Sequence, residues 1–210
     1  MSRVKIRDVK AEDLFAIKTI IDKTWNWADL VENKQVLNAT LGIYLNQILY
    51  NSSFGKVAAL DGDVVGVIFG FAENEISKYR MLQEDGTEHA LALSNATEKE
   101  RKDVCECISK LNETYAKLIS DAEDSYDGTI VFFVVSKEAR GLGIGKSLWY
   151  ELCDYFKEKN VKSIYVCSDT DCNFGFYEYS GFQRRGEQDL TCNFHDGDWK
   201  VKVILYEYKF

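Results

Sequence analysis

The stretch from residue 128 to residue 158 constrains the fold of this chain more than any other part of it. It begins with an apolar run of branched and aromatic residues, from Ile130 to Val135, which is typical of a strand buried on both faces. A loop from Ser136 to Gly145 follows, and every second residue at its end is a glycine. Apolar residues then recur at every fourth position, a pattern that predicts a helix with one buried face: Ile144, Leu148, Leu152 and Phe156.

The loop between this strand and this helix has the composition of a phosphate-binding loop. Glycines let backbone N–H groups approach an anion closely, and the first turn of a helix adds unpaired N–H donors and a partial positive charge. Arg140 and Lys146 flank the loop and add two full positive charges. A turn without a ligand does not need alternating glycines between two cations, so the loop is predicted to hold a phosphate group.

Two known glycine-loop patterns fit this loop only in part. The dinucleotide pattern G-x-G-x-x-G fails, because its third glycine would fall at Lys146. The nucleotide-triphosphate pattern G-x-x-x-x-G-K-[ST] ends correctly in Gly145-Lys146-Ser147, but Arg140 stands where its first glycine should be. The apolar run before Asp169 also imitates a strand that ends in a magnesium-binding aspartate. A P-loop-like phosphotransferase using Mg-ATP therefore stays open as an alternative, although little chain follows Lys146 for the further parallel strands of such a domain.

A third pattern, [QR]-x-x-G-x-G, matches Arg140 to Gly145 at every specified position. This loop resembles the acyl-CoA loop of the GNAT (N-acetyltransferase) superfamily, which holds the diphosphate of CoA. Asn173 to Phe182 resembles the family segment N-x-x-A-x-x-F-Y-x-x-x-G-F, shortened by one residue ahead of Phe176. Ile6 to Asp13 resembles the opening strand and first helix. The three pieces occur in the family's order and cover the chain apart from residues 74–127.

The resemblance implies an α/β (α+β) fold, the GNAT acyl-CoA acyltransferase fold. Its mixed, mostly antiparallel sheet has a central parallel pair, formed here by the strands at Ile130–Val135 and Lys162–Cys167, and is flanked by helices. In the family these two strands splay at their carboxyl ends and admit the pantetheine arm of CoA. We expect a single N-acetyltransferase domain over residues 1–210, with a helical insertion near 74–127. Within the insertion, apolar spacing predicts a helix over Glu98–Ser120.

Several other elements can be predicted from local patterns. Helices are expected from about Leu14 to Trp25 and over Lys34–Leu49, and Asp61-Gly62-Asp63 between apolar runs predicts a hairpin. The chain should close with two strands joined by a turn at His195–Asp198. By resemblance, Trp25, Trp27 and Tyr44 are candidates for the acceptor site. The insertion could cap that site, form a homodimer contact or pack on the sheet, and we favour the acceptor side.

The activity that the resemblance implies is transfer of an acetyl group from acetyl-CoA to a primary amine, by direct attack through a tetrahedral intermediate. Tyr177 is the catalytic candidate, because its position matches a family tyrosine whose hydroxyl points at the CoA sulfur. A backbone N–H at Val134 or Val135 would polarise the thioester carbonyl. The predicted cofactor-binding residues are Val134, Val135, Arg140, Gly141, Leu142, Gly143, Ile144, Gly145, Lys146 and Asn173.

The general base is not evident from the sequence. Glu73, Asp127 and Asp169 lie near strand ends, where each is expected to be solvated, and deprotonation through water serves equally well. A CoA-binding module without catalytic activity is a further alternative.

Composition limits the partners of the chain. A net charge of −8 argues against nucleic acid and is compatible with a cationic substrate, here a small-molecule or peptide amine. No apolar run reaches membrane-spanning length, and the amino terminus has no signal-peptide core. Six cysteines in a chain without a secretion signal favour a reduced, cytoplasmic protein, and the absence of a C-x-x-C pair argues against a metal site.

Overall fold

The computed structural model describes residues 4–122, 125–194 and 197–210, so the predicted turn at His195–Asp198 lies partly outside the described residues. The helices are α1 (Leu14–Trp25), α2 (Lys34–Tyr50), α3 (Gly86–Asn95), α4 (Glu98–Asp121), α5 (Ile144–Glu158) and α6 (Gly175–Tyr179). The strands are β1 (Val4–Asp8), β2 (Phe54–Leu60), β3 (Asp63–Ala72), β4 (Gly128–Val135), β5 (Ser163–Asp169), β6 (Gln183–Phe194) and β7 (Gly197–Lys209). None of the described helices combines the length and the apolar character needed to cross a membrane.

The described strands form one sheet in the order β1-β2-β3-β4-β5-β7-β6. Neighbouring strands are antiparallel except for β4 and β5, which are parallel and are joined by the crossover helix α5. This arrangement confirms the mixed sheet with a central parallel pair.

The parallel pair opens into a wedge towards the carboxyl ends of its strands. β4 and β5 are in register only at Gly128 with Ile164 and at Thr129 with Tyr165. The hydroxyl of Thr129 adds a hydrogen bond of 3.0 Å to the carbonyl of Tyr165. Beyond this point the two strands separate, as the family resemblance implied.

A bulge in β4 lies at the start of the wedge. The register with β3 passes from Phe132 opposite Phe69 to Ile130 opposite Gly70, so Val131 is an extra residue on β4. A bulge of this kind bends its strand and increases the local twist. We attribute the separation of β4 from β5 in part to this bend.

Helices cover both faces of the sheet, and α5 occupies one face almost alone. The four apolar residues that repeat along α5 are at most 2% exposed: Ile144, Leu148, Leu152 and Phe156. Burying each side chain stabilises the fold by about 1.5–3 kcal/mol. Because this stripe fixes α5 against the sheet, it also fixes the amino end of α5 beside the end of β4. The opposite face is covered by α1, α2 and α4.

The segment between β3 and β4 contains α4, as predicted, and also α3, which was not predicted. α4 begins with a capping box in which Thr97 and Glu100 bond each other's backbone N–H groups. α3 has no clear apolar stripe, since His89 is its only buried residue. The structure joins Cys107 of α4 to Cys192 of β6 in a disulfide. The expectation that the cysteines are all reduced is therefore wrong for this pair, which no local spacing motif could reveal.

Candidate active site

The glycine loop has a backbone that only glycine adopts without strain. Gly141 and Gly143 have φ values of 80° and 75°, in the left-handed region. A Cβ atom at either position would have no protein atom within 4 Å. Backbone conformation, and not crowding by other protein atoms, therefore requires glycine here, and the space beside the loop is open.

The loop leads directly into the amino end of α5, where backbone donors are unpaired. Gly143 is the N-cap residue and supplies no side-chain acceptor. The first N–H of the helix with a backbone partner is that of Ser147, which donates to the Gly143 carbonyl at 3.0 Å. The N–H groups of Ile144, Gly145 and Lys146 are therefore available, together with the positive end of the helix dipole, for an anion.

A first cavity of about 670 Å³ lies beside this loop. Its described lining includes Arg140 and Lys146 but no Asp or Glu. The Nε atom of Arg140 donates to the Val135 carbonyl at 3.4 Å, which holds the side chain against the end of β4. The charge of this cavity therefore suits an anionic ligand.

Ten of the eleven predicted site residues line the first cavity: Val134, Val135, Arg140, Gly141, Gly143, Ile144, Gly145, Lys146, Asn173 and Tyr177. The exception is Leu142, which is 58% exposed and does not line it. The sequence reasoning missed Phe133, Cys172, Phe176 and Trp149, which also line the cavity. Phe176 directly precedes Tyr177 in the segment that resembles the family motif. This position was the sequence signal that could have identified it as a lining residue.

The strand register decides which backbone groups of β4 face the wedge. The N–H of Ser136 donates to the Val65 carbonyl at 2.8 Å, and alternate residues of an antiparallel strand bond to the same neighbour. Val134 therefore directs its N–H and C=O towards β3, whereas Phe133 and Val135 direct theirs towards the wedge. Of the two donors predicted, Val135 therefore directs its N–H towards the wedge and Val134 directs its N–H towards β3.

Tyr177 lies on α6 and is 5% exposed. Its ring stacks on Tyr206 with centroids 5.4 Å apart. Burial, with smaller contributions from Cys172 and Asp169, raises the pKa of Tyr177 well above its ordinary value, so the phenol stays protonated. Among the described residues, none accepts a hydrogen bond from this hydroxyl. Tyr177 can therefore act as a proton donor.

A second cavity of about 830 Å³ fills the wedge between β4 and β5. It meets the first cavity at three residues that line both: Phe133, Cys172 and Tyr177. A molecule in one cavity and a molecule in the other would therefore approach each other beside Tyr177.

Helices on one face of the sheet supply much of the lining of the second cavity. Of the three acceptor-site candidates, Trp25 and Tyr44 line this cavity, whereas Trp27 does not and packs on Tyr44 with ring centroids 5.4 Å apart. α4 contributes Leu111 and Tyr115, among others. The insertion therefore contributes side chains to the wall of this cavity.

The three carboxylates considered from the sequence have different environments. Glu73 is exposed, as expected. Asp127 accepts hydrogen bonds from the backbone N–H groups of Lys162 and Ser163, at 2.8 and 3.2 Å, which fixes the start of β5. Asp169 was expected to be solvated, and this is wrong, since it is 4% exposed. It lines the second cavity.

Within the described part of the chain, three N–H groups donate hydrogen bonds to Asp169. The indole Nε1 of Trp25 donates to Oδ2 at 3.0 Å, and the N–H groups of Asp171 and Cys172 donate to Oδ1 at 2.9 and 3.1 Å. Burial raises the pKa of Asp169 above its ordinary value, although these donors act in the opposite direction. The sequence signal for this residue was its place directly after the apolar run of β5, at the end where the strands splay.

The geometry does not favour the phosphotransferase alternative. The hydroxyl of Ser147, which would hold Mg²⁺, donates instead to the Gly143 carbonyl at 3.2 Å. Asp169 faces the second cavity and does not line the one beside the glycine loop. Moreover, the sheet has only one parallel pair among its described strands.

Comparisons with known proteins agree with this geometry. A sequence model described as the acetyltransferase (GNAT) family matches residues 17–182. Similar solved structures include the ribosomal-protein-alanine N-acetyltransferase from Brucella melitensis, with 17% identity, a TM-score of 0.51 and coverage of 98% of this chain and 99% of that one. An N-acetyltransferase from Staphylococcus aureus Mu50 has 17% identity, a TM-score of 0.53 and 99% coverage of both chains. A Salmonella typhimurium protein solved with its cofactor acetyl-CoA has 13% identity, a TM-score of 0.52 and coverage of 98% of this chain and 93% of that one. No curated protein matches the chain. At these identities, the structural likeness shows the fold alone.

Proposed function

Because the chain belongs to the acetyltransferase (GNAT) family, we propose that it transfers an acetyl group from acetyl-CoA to a primary amine. The observation that carries this proposal is the meeting of two cavities at Tyr177, one basic and one with several aromatic side chains in its wall. Transfer between two substrates requires that both be held with their reacting atoms in contact. A pair of cavities that share Phe133, Cys172 and Tyr177 provides such an arrangement.

The residues of the first cavity suit the diphosphate of CoA. The free N–H groups at the amino end of α5 would bind its oxygens, and Arg140 and Lys146 would balance its charge. The open space beside Gly141 and Gly143 lets the ligand approach the backbone. When bound, acetyl-CoA supplies a thioester, which is an activated form of the acetyl group.

The chain contributes two functions to the transfer itself. The N–H of Val135 or Phe133, which faces the wedge, stabilises the negative charge that develops on the carbonyl oxygen in a tetrahedral intermediate. Tyr177 gives its proton to the sulfur as the C–S bond breaks, because its raised pKa keeps the phenol protonated at neutral pH. Phe133 and Tyr177 line both cavities, and Val135 lines the first cavity beside them.

Direct attack by the amine is supported by the state of the cysteine at the junction. An acyl-enzyme route would need a thiolate at Cys172, the thiol that lines both cavities. Burial raises the pKa of Cys172 well above its ordinary value, with a further contribution from the charge of Asp169. The thiol therefore stays protonated and is a poor nucleophile.

A ligand screen followed by an activity screen tests the proposal. Acetyl-CoA without metal should raise the melting temperature, whereas Mg-ATP should leave it unchanged. Release of CoA should then depend on an added amine from a panel of small amines and peptide amino termini. Stabilisation by Mg-ATP alone would support the phosphotransferase. Binding of acetyl-CoA without turnover on any amine would support a CoA-binding module.

A further inference from the structure

We propose that the second cavity is the acceptor site for a primary monoamine with an apolar body, and that Asp169 binds its ammonium group and takes its proton. This inference rests on the proposed function, which it extends to a substrate class and a further catalytic residue. Four features of the second cavity carry it.

The first feature is a buried carboxylate without a cationic partner. Asp169 is 4% exposed, and no described lysine, arginine or histidine forms an ion pair with it. Its donors are neutral: one indole N–H and two backbone N–H groups. A buried charge balanced only by dipoles is costly, and a ligand cation lowers that cost.

The second feature is the acceptor capacity that Asp169 retains. Its Oδ1 closes the turn after β5 through Asp171 and Cys172, which is a structural role. Among the described residues, the hydrogen bond to its Oδ2 comes from Trp25, and the weakly donating thiol of Cys172 also interacts with the carboxylate. A carboxylate oxygen can accept two, so Oδ2 can still accept an N–H of an alkylammonium.

The third feature is the character of the cavity wall. The ring of Trp25 lies 6.0 Å from that of Phe132 and 6.4 Å from that of Tyr44, measured between centroids, and all three line the cavity. Tyr115 of α4 and several aliphatic side chains complete a wall that suits an apolar body. Aromatic faces also attract a cation.

The fourth feature is that the other charged residues of the described lining are already engaged. Glu75 pairs with Lys159 at 2.8 Å, and the guanidinium of Arg80 lies 4.1 Å from the ring centroid of Tyr50. The described lining of this cavity therefore offers one carboxylate without an ion-pair partner, that of Asp169. A polyamine would need a second such charge, whereas a monoamine needs only Asp169.

An ammonium group at Asp169 would lie next to the junction of the cavities. The Cys172 N–H that donates to Asp169 belongs to a residue that lines both cavities. The charge of Asp169 is also one of the causes of the raised pKa of Tyr177. The amine nitrogen would thus be held close to the proton donor.

The protons of the reaction balance with these two groups. The alkylammonium gives one proton to Asp169, and the freed electron pair on nitrogen forms the C–N bond to the acetyl carbon. The C–S bond then breaks, its electron pair goes to sulfur, and sulfur takes the proton of Tyr177. The nitrogen then gives a second proton to the Tyr177 oxygen, which restores the phenol. Asp169 releases its proton to water. One proton is released for each amine acetylated.

The acidic limb of the pH profile of kcat/KM should reflect the ionisation of Asp169. Burial raises its pKa, so the charged form that accepts the proton appears only as the pH rises through that raised value. Around Asp169 the titratable groups are the phenols of Tyr44, Tyr115 and Tyr177, the thiols of Cys167 and Cys172, and the carboxyl of Asp171. Burial raises the pKa of each of these phenols and thiols, so they stay protonated below neutral pH.

The test compares Asp169→Asn with Asp171→Asn. The second variant is a matched control, because Asp171 lies two residues away and lines neither cavity. Wild type should acetylate phenethylamine with a higher kcat/KM than spermidine. In Asp169→Asn, we expect kcat/KM for phenethylamine to fall about 100-fold, and the acidic limb of the pH profile to disappear. Asp171→Asn should keep kcat/KM and keep the acidic limb, moved to lower pH because the charge of Asp171 contributes to the raised pKa of Asp169. All three proteins should bind acetyl-CoA equally, because neither carboxylate lines the first cavity.

Equal rates and pH profiles in the two variants would overturn the assignment of Asp169, and a preference for spermidine would overturn the monoamine class. If wild type binds acetyl-CoA but acetylates no amine, the proposed function itself fails. Should Asp169→Asn not fold, inhibition of wild type by 2-phenylethanol, the neutral analogue, decides the question. Phenethylamine should bind at least about 10-fold more tightly than this alcohol, because its ammonium forms a charge-assisted hydrogen bond that the alcohol cannot form. Equal binding would contradict the role of Asp169.

Discussion

The change Gly143→Ala separates the role of the glycine loop in ligand binding from its role in stability. Gly143 has a φ of 75°, and a Cβ there would meet no protein atom within 4 Å. The variant therefore suffers only the backbone cost of a left-handed alanine, about 1–2 kcal/mol. For a chain of this length that cost lowers Tm by about 2–8 °C.

The affinity for acetyl-CoA should fall by more than this stability loss explains. The new methyl group would project into the open space beside the loop and keep a diphosphate from the N–H groups of α5. Loss of one charge-assisted hydrogen bond costs about 1.5–3 kcal/mol, which raises Kd roughly 10- to 100-fold. Isothermal titration calorimetry with acetyl-CoA measures this change at a temperature well below Tm.

Gly62→Ala is the matched control. Gly62 has a φ of 107°, lies in the turn between β2 and β3, and likewise has no atom within 4 Å of an added Cβ. It should lower Tm at least as much as Gly143→Ala and leave Kd unchanged. If Gly143→Ala lowers Tm but leaves Kd at the wild-type value, the loop does not hold the ligand and the reasoning is refuted.

Three further predictions concern single side chains. Tyr177→Phe should lower kcat about 10- to 100-fold in a steady-state assay and leave Kd for acetyl-CoA unchanged, because only the proton donor is lost. The control Tyr206→Phe, whose hydroxyl instead donates to a glutamate at 3.0 Å, should keep kcat, and equal rates in both variants would exclude Tyr177 as the acid. Cys172→Ala should keep kcat within about threefold if attack is direct, whereas abolished turnover would indicate an acyl-enzyme. Urea unfolding should show that the free energy of unfolding decreases in acid, as the pH drops through the lowered pKa of Asp13. Burial alone would raise this pKa, but two Arg7 hydrogen bonds of 2.7 Å lower it. Arg7→Gln should be about 1–3 kcal/mol less stable at neutral pH and lose less stability in acid, and an unchanged acid dependence would contradict the pairing.

Local pattern predicted much of the first cavity, because its geometry depends on backbone conformation and helix periodicity. Alternating glycines imply left-handed residues, and Gly141 and Gly143 have positive φ values. The four-residue apolar repeat from Ile144 to Phe156 specified which face of α5 packs on the sheet, and so where the helix begins. These signals lie within one short stretch of chain, and no distant contact is needed to interpret them.

The second cavity could not be predicted in the same way, because its properties come from contacts between distant segments. Asp169 is buried because Trp25 of α1 donates to it and α4 closes over the wedge, and neither neighbour is visible from the sequence around β5. The choice between Val134 and Val135 depends on the register with β3, which the sequence leaves open. The pairing of Cys107 with Cys192 likewise depends on how α4 packs on β6.

A crystal structure of the protein soaked with acetyl-CoA tests the central claim most directly. The account predicts that the diphosphate lies against the loop of Arg140 to Gly145, and that the sulfur lies within hydrogen-bond distance of the Tyr177 hydroxyl. Acetyl-CoA bound elsewhere on the chain, or with its sulfur distant from the junction of the two cavities, would contradict it.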